Sequence, residues 1–149
     1  MRNLLFLAIV VVSAFTLAAR THPDLEGTWH MDKARSQYPG ESVTEVIHQH
    51  GKVVDITITE TRRGTRTVMQ IHLTTDGKPT INTIGRNRFT STTHWDHSKL
   101  VTFVKGDRSQ HMTEIRELSS EGKSLTVTGY HQDDLRKPYY VRAMVRSKL

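Results

Sequence analysis

Residues 25–40 read LEGTWHMDKARSQYPG, and they place Gly27 and Trp29 at the start of the first alternating stretch of the chain. Threonine and β-branched residues dominate the sequence that follows, and no long segment has helical periodicity. Such side chains favour strands, where they pack on a pleated and half-buried surface. The pattern therefore predicts an all-β protein that begins at this glycine and tryptophan.

Glycine-containing turns divide the rest of the chain into short segments. Gly51, Gly64 and Gly77 are evenly spaced, and Gly106 and Gly122 follow. Even spacing with short alternating runs between turns is typical of an antiparallel meander. Strands are predicted at about 26–32, 42–50, 53–61, 66–75, 79–84, 87–95, 99–105, 109–118, 124–131 and 138–146. These hairpin-linked strands predict an up-and-down meander that closes into an 8–10-stranded barrel, because closure leaves no exposed strand edge.

The first nineteen residues have the pattern of a secretory signal peptide. A positive charge at Arg2 precedes an apolar run at 4–12, and alanines end the segment. The run is shorter than the roughly 20 apolar residues that span a bilayer, although an uncleaved N-terminal anchor is the alternative. We therefore expect a signal peptide at 1–19 and one barrel domain at 20–149, secreted or periplasmic, with no stable membrane insertion after cleavage.

Charge and cysteine content restrict the partners. The formal charge of the chain is +6, and removal of Arg2 with the leader lowers it by one. The bases are scattered, with the densest run at 62–66 in a predicted turn, and no basic face with interleaved aromatic residues is evident. No nucleic-acid partner is therefore expected. The chain contains no cysteine, so the fold must be stabilised by its own core.

The opening motif resembles that of the calycins, the superfamily of lipocalins and fatty-acid-binding proteins. Gly27-Thr28-Trp29 is followed by Met31-Asp32, Arg35-Ser36 and Tyr38-Pro39. This longer pattern is similar to the opening of small exported bacterial lipocalin-like proteins, which read G-T-W-x-L-N, then K-S, then an aromatic residue and proline. The resemblance implies a lipocalin-like barrel in which Trp29 plugs the closed end and Gly27 permits close approach of the backbone, so that both residues are structural.

The chain departs from these families in two places. Fatty-acid-binding proteins have a two-helix lid between their first two strands, but the interval 33–41 has room for only one helical turn. They also carry an arginine and a tyrosine two residues apart on the last strand, which grip a carboxylate. Met144 stands two residues after Arg142, so this grip is not expected. Lipocalins stack an arginine on the floor tryptophan, a role open to Arg142 or Arg146.

Strand alternation predicts a candidate ligand-binding cluster of Phe103, His111, His131 and Tyr139. Apolar alternation directs Ile115 inward, continues inward on the last strand through Val141, Ala143 and Val145, and leaves strand 99–105 open between its Leu100 and Phe103 faces. The turn at Gly122 is expected to set His111 opposite His131, and the neighbouring hairpins to bring Phe103 and Tyr139 beside them. Such a set would fix a ligand in an otherwise apolar cavity. A one-residue change of register would turn the whole set outward, and filling the core as hydrogen-bonded groups is a further alternative.

No metal, cofactor or catalytic residue is assigned. His48 and His50 share a strand face at a spacing that zinc sites use, but no third ligand in register is evident. No cysteine nucleophile and no G-x-S-x-G motif is present. The main hypothesis is thus an exported barrel that binds a small apolar or amphipathic molecule. The alternatives are a small β-barrel enzyme or haem- or metal-binding protein that uses His111 and His131, and a structural barrel with a filled core.

Overall fold

Ten antiparallel strands form a single sheet in the computed structural model, which describes residues 22–106, 111–131 and 134–147. The leader predicted at 1–19 and the first two residues of the predicted eighth strand lie outside these ranges. The strands are β1 (Gly27–Met31), β2 (Ser42–His50), β3 (Val53–Arg62), β4 (Thr65–Thr74), β5 (Asp76–Ile84), β6 (Asn87–Asp96), β7 (Lys99–Gly106), β8 (His111–Leu118), β9 (Ser124–His131) and β10 (Tyr140–Arg146). Each strand pairs with its neighbour in the chain except β4 with β5, and β1 also pairs with β10. The predicted all-β meander and its strand count are confirmed.

The barrel is nearly closed, and a side chain bridges the place where the backbone ladder stops. β4 and β5 are the two ends of the hydrogen-bonded order. The side-chain oxygen of Asn82 on β5 accepts from the backbone N–H of His72 on β4 at 2.7 Å, and its Nδ2 donates to the His72 carbonyl at 3.0 Å. A primary amide offers the same donor and acceptor as a peptide group, so Asn82 substitutes for one rung of the ladder.

Trp29 lies fully buried in the core of the barrel. Its indole N–H donates to the carbonyl of Leu25 at 2.9 Å, and the guanidinium of Arg146 lies 4.5 Å from the centre of the ring system. Arg146 is therefore the arginine that stacks on the tryptophan. Gly27 has a φ of +130°, and a Cβ there would meet its nearest neighbour at an ordinary 3.8 Å. The backbone conformation, rather than the close approach that the resemblance implies, requires glycine at this position.

The connection between β1 and β2 contains one short 3-10 turn, Lys33–Arg35, as its length predicts. The carboxylate of Asp32 caps this turn by accepting from the backbone N–H groups of Ala34 and Arg35. Farther along, the ring of Tyr38 packs so closely on Gly40 that a Cβ at the glycine would overlap it. The connection thereby folds back and places Tyr38 against the buried core.

The strand register differs from the predicted one by a single residue between β8 and β9. His131 pairs with Met112, and Val127 pairs with Arg116. Side chains alternate between the two faces of a strand, so a shift of one residue exchanges inside and outside. The prediction directed Ile115 inward because it is apolar, and this phase is wrong. The side chains of β8 that face the barrel interior belong instead to the even-numbered residues, which include two charged ones.

The inward and outward faces of β10 are also exchanged relative to the prediction, and the burial pattern of β7 shows which of its two faces points inward. Tyr140, Arg142 and Met144 alternate as buried residues on β10, so Val141, Ala143 and Val145, predicted to continue inward, face outward. On β7, Leu100 and Thr102 are buried, which places the Leu100 face inward rather than the Phe103 face. The described residues include no helix long and apolar enough to cross a membrane.

Candidate ligand-binding site

A cluster of ionised and phenolic side chains lies inside the barrel. It comprises residues two apart on β8, residues two apart on β10 and one residue of β2. These are Glu114 and Arg116, Tyr140 and Arg142, and Glu45, all of them buried. Glu114 on β8 pairs with Gly129 on β9, and Gly129 pairs in turn with Tyr140 on β10. The side chains of Glu114 and Tyr140 therefore face each other across β9. A Cβ at Gly129 would overlap the Tyr140 ring, so the glycine lets the phenol cross β9. We call these five side chains the ionic cluster.

Glu114 is the acceptor at the centre of the ionic cluster. One carboxylate oxygen accepts a hydrogen bond from Arg116. The other accepts one from the hydroxyl of Tyr140 and one of 3.1 Å from Arg142. Burial by itself would raise the pKa of Glu114, but the two guanidinium groups and the phenol outweigh it and hold the pKa below its ordinary value.

Glu45 completes the balance of charge. Its carboxylate lies 2.8 Å from Nη1 of Arg142 and 3.4 Å from Nη2 of Arg116. Two carboxylates and two guanidinium groups therefore alternate, and their formal charges cancel. Burial opposes the charged form of both arginines, yet the facing carboxylates raise both pKa values above the ordinary one. Charges as deeply buried as these persist only when they are paired in this way.

Two tyrosines enclose Arg142. Its guanidinium carbon lies 5.4 Å from the ring centre of Tyr38 and 5.2 Å from that of Tyr140, and the two rings meet edge to face. Burial raises the pKa of Tyr38 to about 12 against the opposing effect of Arg142. Burial also raises the pKa of Tyr140, reinforced by the neighbouring Glu114. Both phenols are therefore protonated donors at neutral pH.

The opposite wall of the barrel is apolar with a few hydroxyl groups. The inward face of β4 carries Met69 and Ile71, which pack on the core but remain partly accessible. On β6, the hydroxyl of Thr93 donates to Thr102, whereas the buried Oγ of Ser91 has no hydrogen-bond partner among the described residues. Eight strands enclose an interior that side chains just fill or that holds one small ligand, and ten strands enclose more. The inward apolar side chains of β4 are thus only partly buried.

The four predicted site residues form two separate pairs. The rings of Phe103 and His111 meet edge to face with centres 5.5 Å apart, and those of His131 and Tyr139 lie 3.9 Å apart. Both contacts agree with the predicted hairpin neighbours. Because Met112 pairs with His131, however, His111 and His131 project from opposite faces of the sheet. The ligand-binding role of all four residues stays a prediction, and no joint histidine site follows from the geometry.

His48 and His50, considered as zinc ligands, are exposed on the outward face of β2, and other histidines also point to the outer surface. His48 lies 2.9 Å from Glu26, and His72 lies 2.6 Å from Asp55, each pair being largely exposed. Within the part of the chain that the structure describes, no three histidine or acidic side chains are placed to hold a metal ion.

The sequence contains a signal for the ionic cluster that apolar alternation hides. Glu114-x-Arg116 on one strand and Tyr140-x-Arg142 on another each place two complementary groups on one strand face. On the last strand the tyrosine stands two residues before Arg142 rather than two after it.

A ten-stranded antiparallel meander with an interrupted ladder and a buried tryptophan defines a nearly closed up-and-down β-barrel. The chain is similar to the fluorescent protein UnaG (22% identity, TM-score 0.61, covering 83% of this chain and 97% of that one). It is also similar to a mutant of the fatty acid transporter REP1-NXSQ (16%, 0.62, 83% and 98%). A third is the apo form of lipid binding protein 8 from Caenorhabditis elegans (10%, 0.60, 82% and 94%). No family model and no curated protein sequence matches the chain. At these identities the likeness shows the fold.

Proposed function

We propose that this protein binds a small, partly apolar molecule inside its barrel. The observation that carries the proposal is the inward surface, which joins an accessible apolar wall at Met69 and Ile71 to buried polar groups at Ser91 and the ionic cluster. Small-molecule sites are concave and mostly apolar, with a few polar groups that fix orientation. Two of the similar structures are described as a fatty acid transporter and a lipid binding protein, which supports the proposal by analogy of fold.

A binding screen with an inward and an outward variant tests this proposal. Native mass spectrometry and displacement of an uncharged fluorescent dye would be run on residues 20–149 against fatty acids, fatty alcohols and aromatic metabolites. We expect a one-to-one complex that Ser91→Phe abolishes by filling the interior. Thr90→Phe is the matched control, because the neighbouring residue projects from the opposite face of β6. Absence of any complex, or equal binding by both folded variants, would exclude an interior site and favour the filled barrel.

We also propose that the protein is exported and that its leader is removed. The charged start, the short apolar run and the terminal alanines of residues 1–19 support this. Expression of the full chain in a bacterium, followed by fractionation and intact-mass measurement, tests it. A periplasmic or secreted product that lacks about nineteen residues is expected. A full-length product retained in the cytoplasm would contradict export.

A further inference from the structure

We infer that Glu114 is an internal occupant of a carboxylate-binding site, and that the ligand of this barrel consequently bears no carboxylate. The inference rests on the proposed function and specifies its ligand class. Two guanidinium groups and one phenol converge on the carboxylate of Glu114, from Arg116, Arg142 and Tyr140. Donors so arranged are a receptor for a carboxylate, since arginine pairs and a hydroxyl match its four lone-pair positions. In this chain the carboxylate of Glu114 occupies that site.

An acidic ligand would have to displace Glu114, and the balance of charge opposes that exchange. Glu114 and Glu45 already neutralise both arginines. A third carboxylate would give the buried cluster a net negative charge and leave one carboxylate without a partner, which is strongly unfavourable. Glu114 is also tethered to the chain, so it forfeits no translational freedom on binding, whereas a free acid does.

The donors that remain free suit an uncharged acceptor. Nε of Arg116 and Nε of Arg142 are buried and have no hydrogen-bond partner among the described residues. The hydroxyl of Ser91 on the opposite wall is likewise buried and unpartnered. A hydroxyl, ester or amide head group can satisfy such atoms without adding charge. The ligand class is thus an apolar chain or ring system with a neutral polar head.

Comparing two ligands that differ only in the head group tests this inference on the wild-type protein. Dodecanol and dodecanoate would be titrated at neutral pH by displacement of an uncharged dye. We expect dodecanol to bind more tightly by about tenfold or more, the effect of one charge-assisted hydrogen bond. Equal affinities, or tighter binding of dodecanoate, would overturn the inference while leaving the proposed function intact.

A variant that lacks the Glu114 carboxylate provides the second arm of the test. Glu114→Ala removes the internal carboxylate, and we expect dodecanoate affinity to rise by about tenfold or more and the preference to reverse. Added acetate is expected to raise the Tm of this variant and not that of the wild type. The matched control is Glu117→Ala, an exposed position on the same strand that pairs with Lys99. It should retain the wild-type preference and show no response to acetate.

The two arms separate the inference from the proposed function. If neither dodecanol nor dodecanoate binds the wild type but acetate stabilises Glu114→Ala, the filled carboxylate site stands and the proposed ligand binding fails. If a folded Glu114→Ala neither responds to acetate nor gains affinity for dodecanoate, the assignment of Glu114 is wrong. The wild-type comparison decides the matter by itself if the variant does not fold.

Discussion

Replacing Arg116 with methionine should destabilise the protein strongly, because it leaves the ionic cluster one positive charge short. Arg116 is 1% exposed and contacts both Glu45 and Glu114. In the variant two buried carboxylates share Arg142. Removal of one partner from a buried ion pair costs about 3–5 kcal/mol. A domain of this size is typically stable by about 5–15 kcal/mol, so the variant should fold with a much lower urea midpoint.

The pH dependence of this loss identifies its cause. In the wild type the lowered pKa of Glu114 contributes stability above the ordinary glutamate pKa, and acidification through the lowered value removes it. In Arg116→Met the excess carboxylate has a raised pKa, so the native state takes up a proton more readily than the unfolded state. Its stability should therefore increase as the pH falls from 7 toward 5, the reverse of the wild-type trend on acidification.

Urea unfolding at neutral and mildly acidic pH measures both effects. Adding Glu45→Gln to Arg116→Met restores the balance of charge and should bring the free energy of unfolding to within about 2 kcal/mol of wild type. Lys99→Met, which removes an exposed ion pair with Glu117, should cost less than about 1 kcal/mol. A loss in Arg116→Met no larger than in Lys99→Met, or a loss that does not diminish on acidification, would refute the buried-charge argument.

Three further predictions concern Asn82 at the gap between β4 and β5, Gly27 on β1, and Tyr38 beside Arg142. Asn82→Ala removes both hydrogen bonds to His72 and should lower the free energy of unfolding by about 1–3 kcal/mol. Hydrogen exchange at the His72 amide should become faster, and unchanged exchange would show that the bridge is dispensable. Gly27→Ala places a side chain at a φ of +130° and should cost about 1–3 kcal/mol in urea unfolding, and a neutral result would contradict the conformational role of this glycine. The tyrosinate absorbance of wild type and Tyr38→Phe should diverge only near pH 12, and a difference that develops near pH 10 would mean that Tyr38 is not buried beside Arg142.

Strand positions could be predicted from this sequence because their signals are local. Glycine turns and β-branched runs mark where each strand begins and ends, and neither signal depends on which face lies inside. The one-turn connection at Lys33–Arg35 follows from chain length alone in the same way. The sequence left Arg142 and Arg146 as two candidates for the arginine that stacks on Trp29. Spacing does not decide between them, because it does not give the tilt of β10 relative to β1.

The inward face of β8 and β10 could not be predicted from apolar alternation, because this barrel reverses the usual rule there. Ile115 and Val141 lie on the outward phase, whereas Arg116 and Arg142 are buried. Alternation assigns apolar residues to the inside because unpaired charges are costly to bury. Pairing charges across strands offsets that cost, and the pairing is a long-range property that no single strand displays. The predicted cluster at His111 and His131 inherited this error of phase.

Gly129 is the residue from which the correct register can be argued. Glycine inside a strand weakens it and commonly marks a close approach of another group. A one-residue shift sets Gly129 opposite Thr113, which explains nothing about the glycine. The observed register sets it between Glu114 and Tyr140, where the missing Cβ leaves room for the phenol to reach the carboxylate across β9. The same choice of register directs Arg116 and Arg142 to the side of Glu45 and balances every charge of the cluster. In a barrel with an ionic interior, the register that explains a strand glycine and pairs all the charges is therefore a better criterion than the one that buries the most apolar residues.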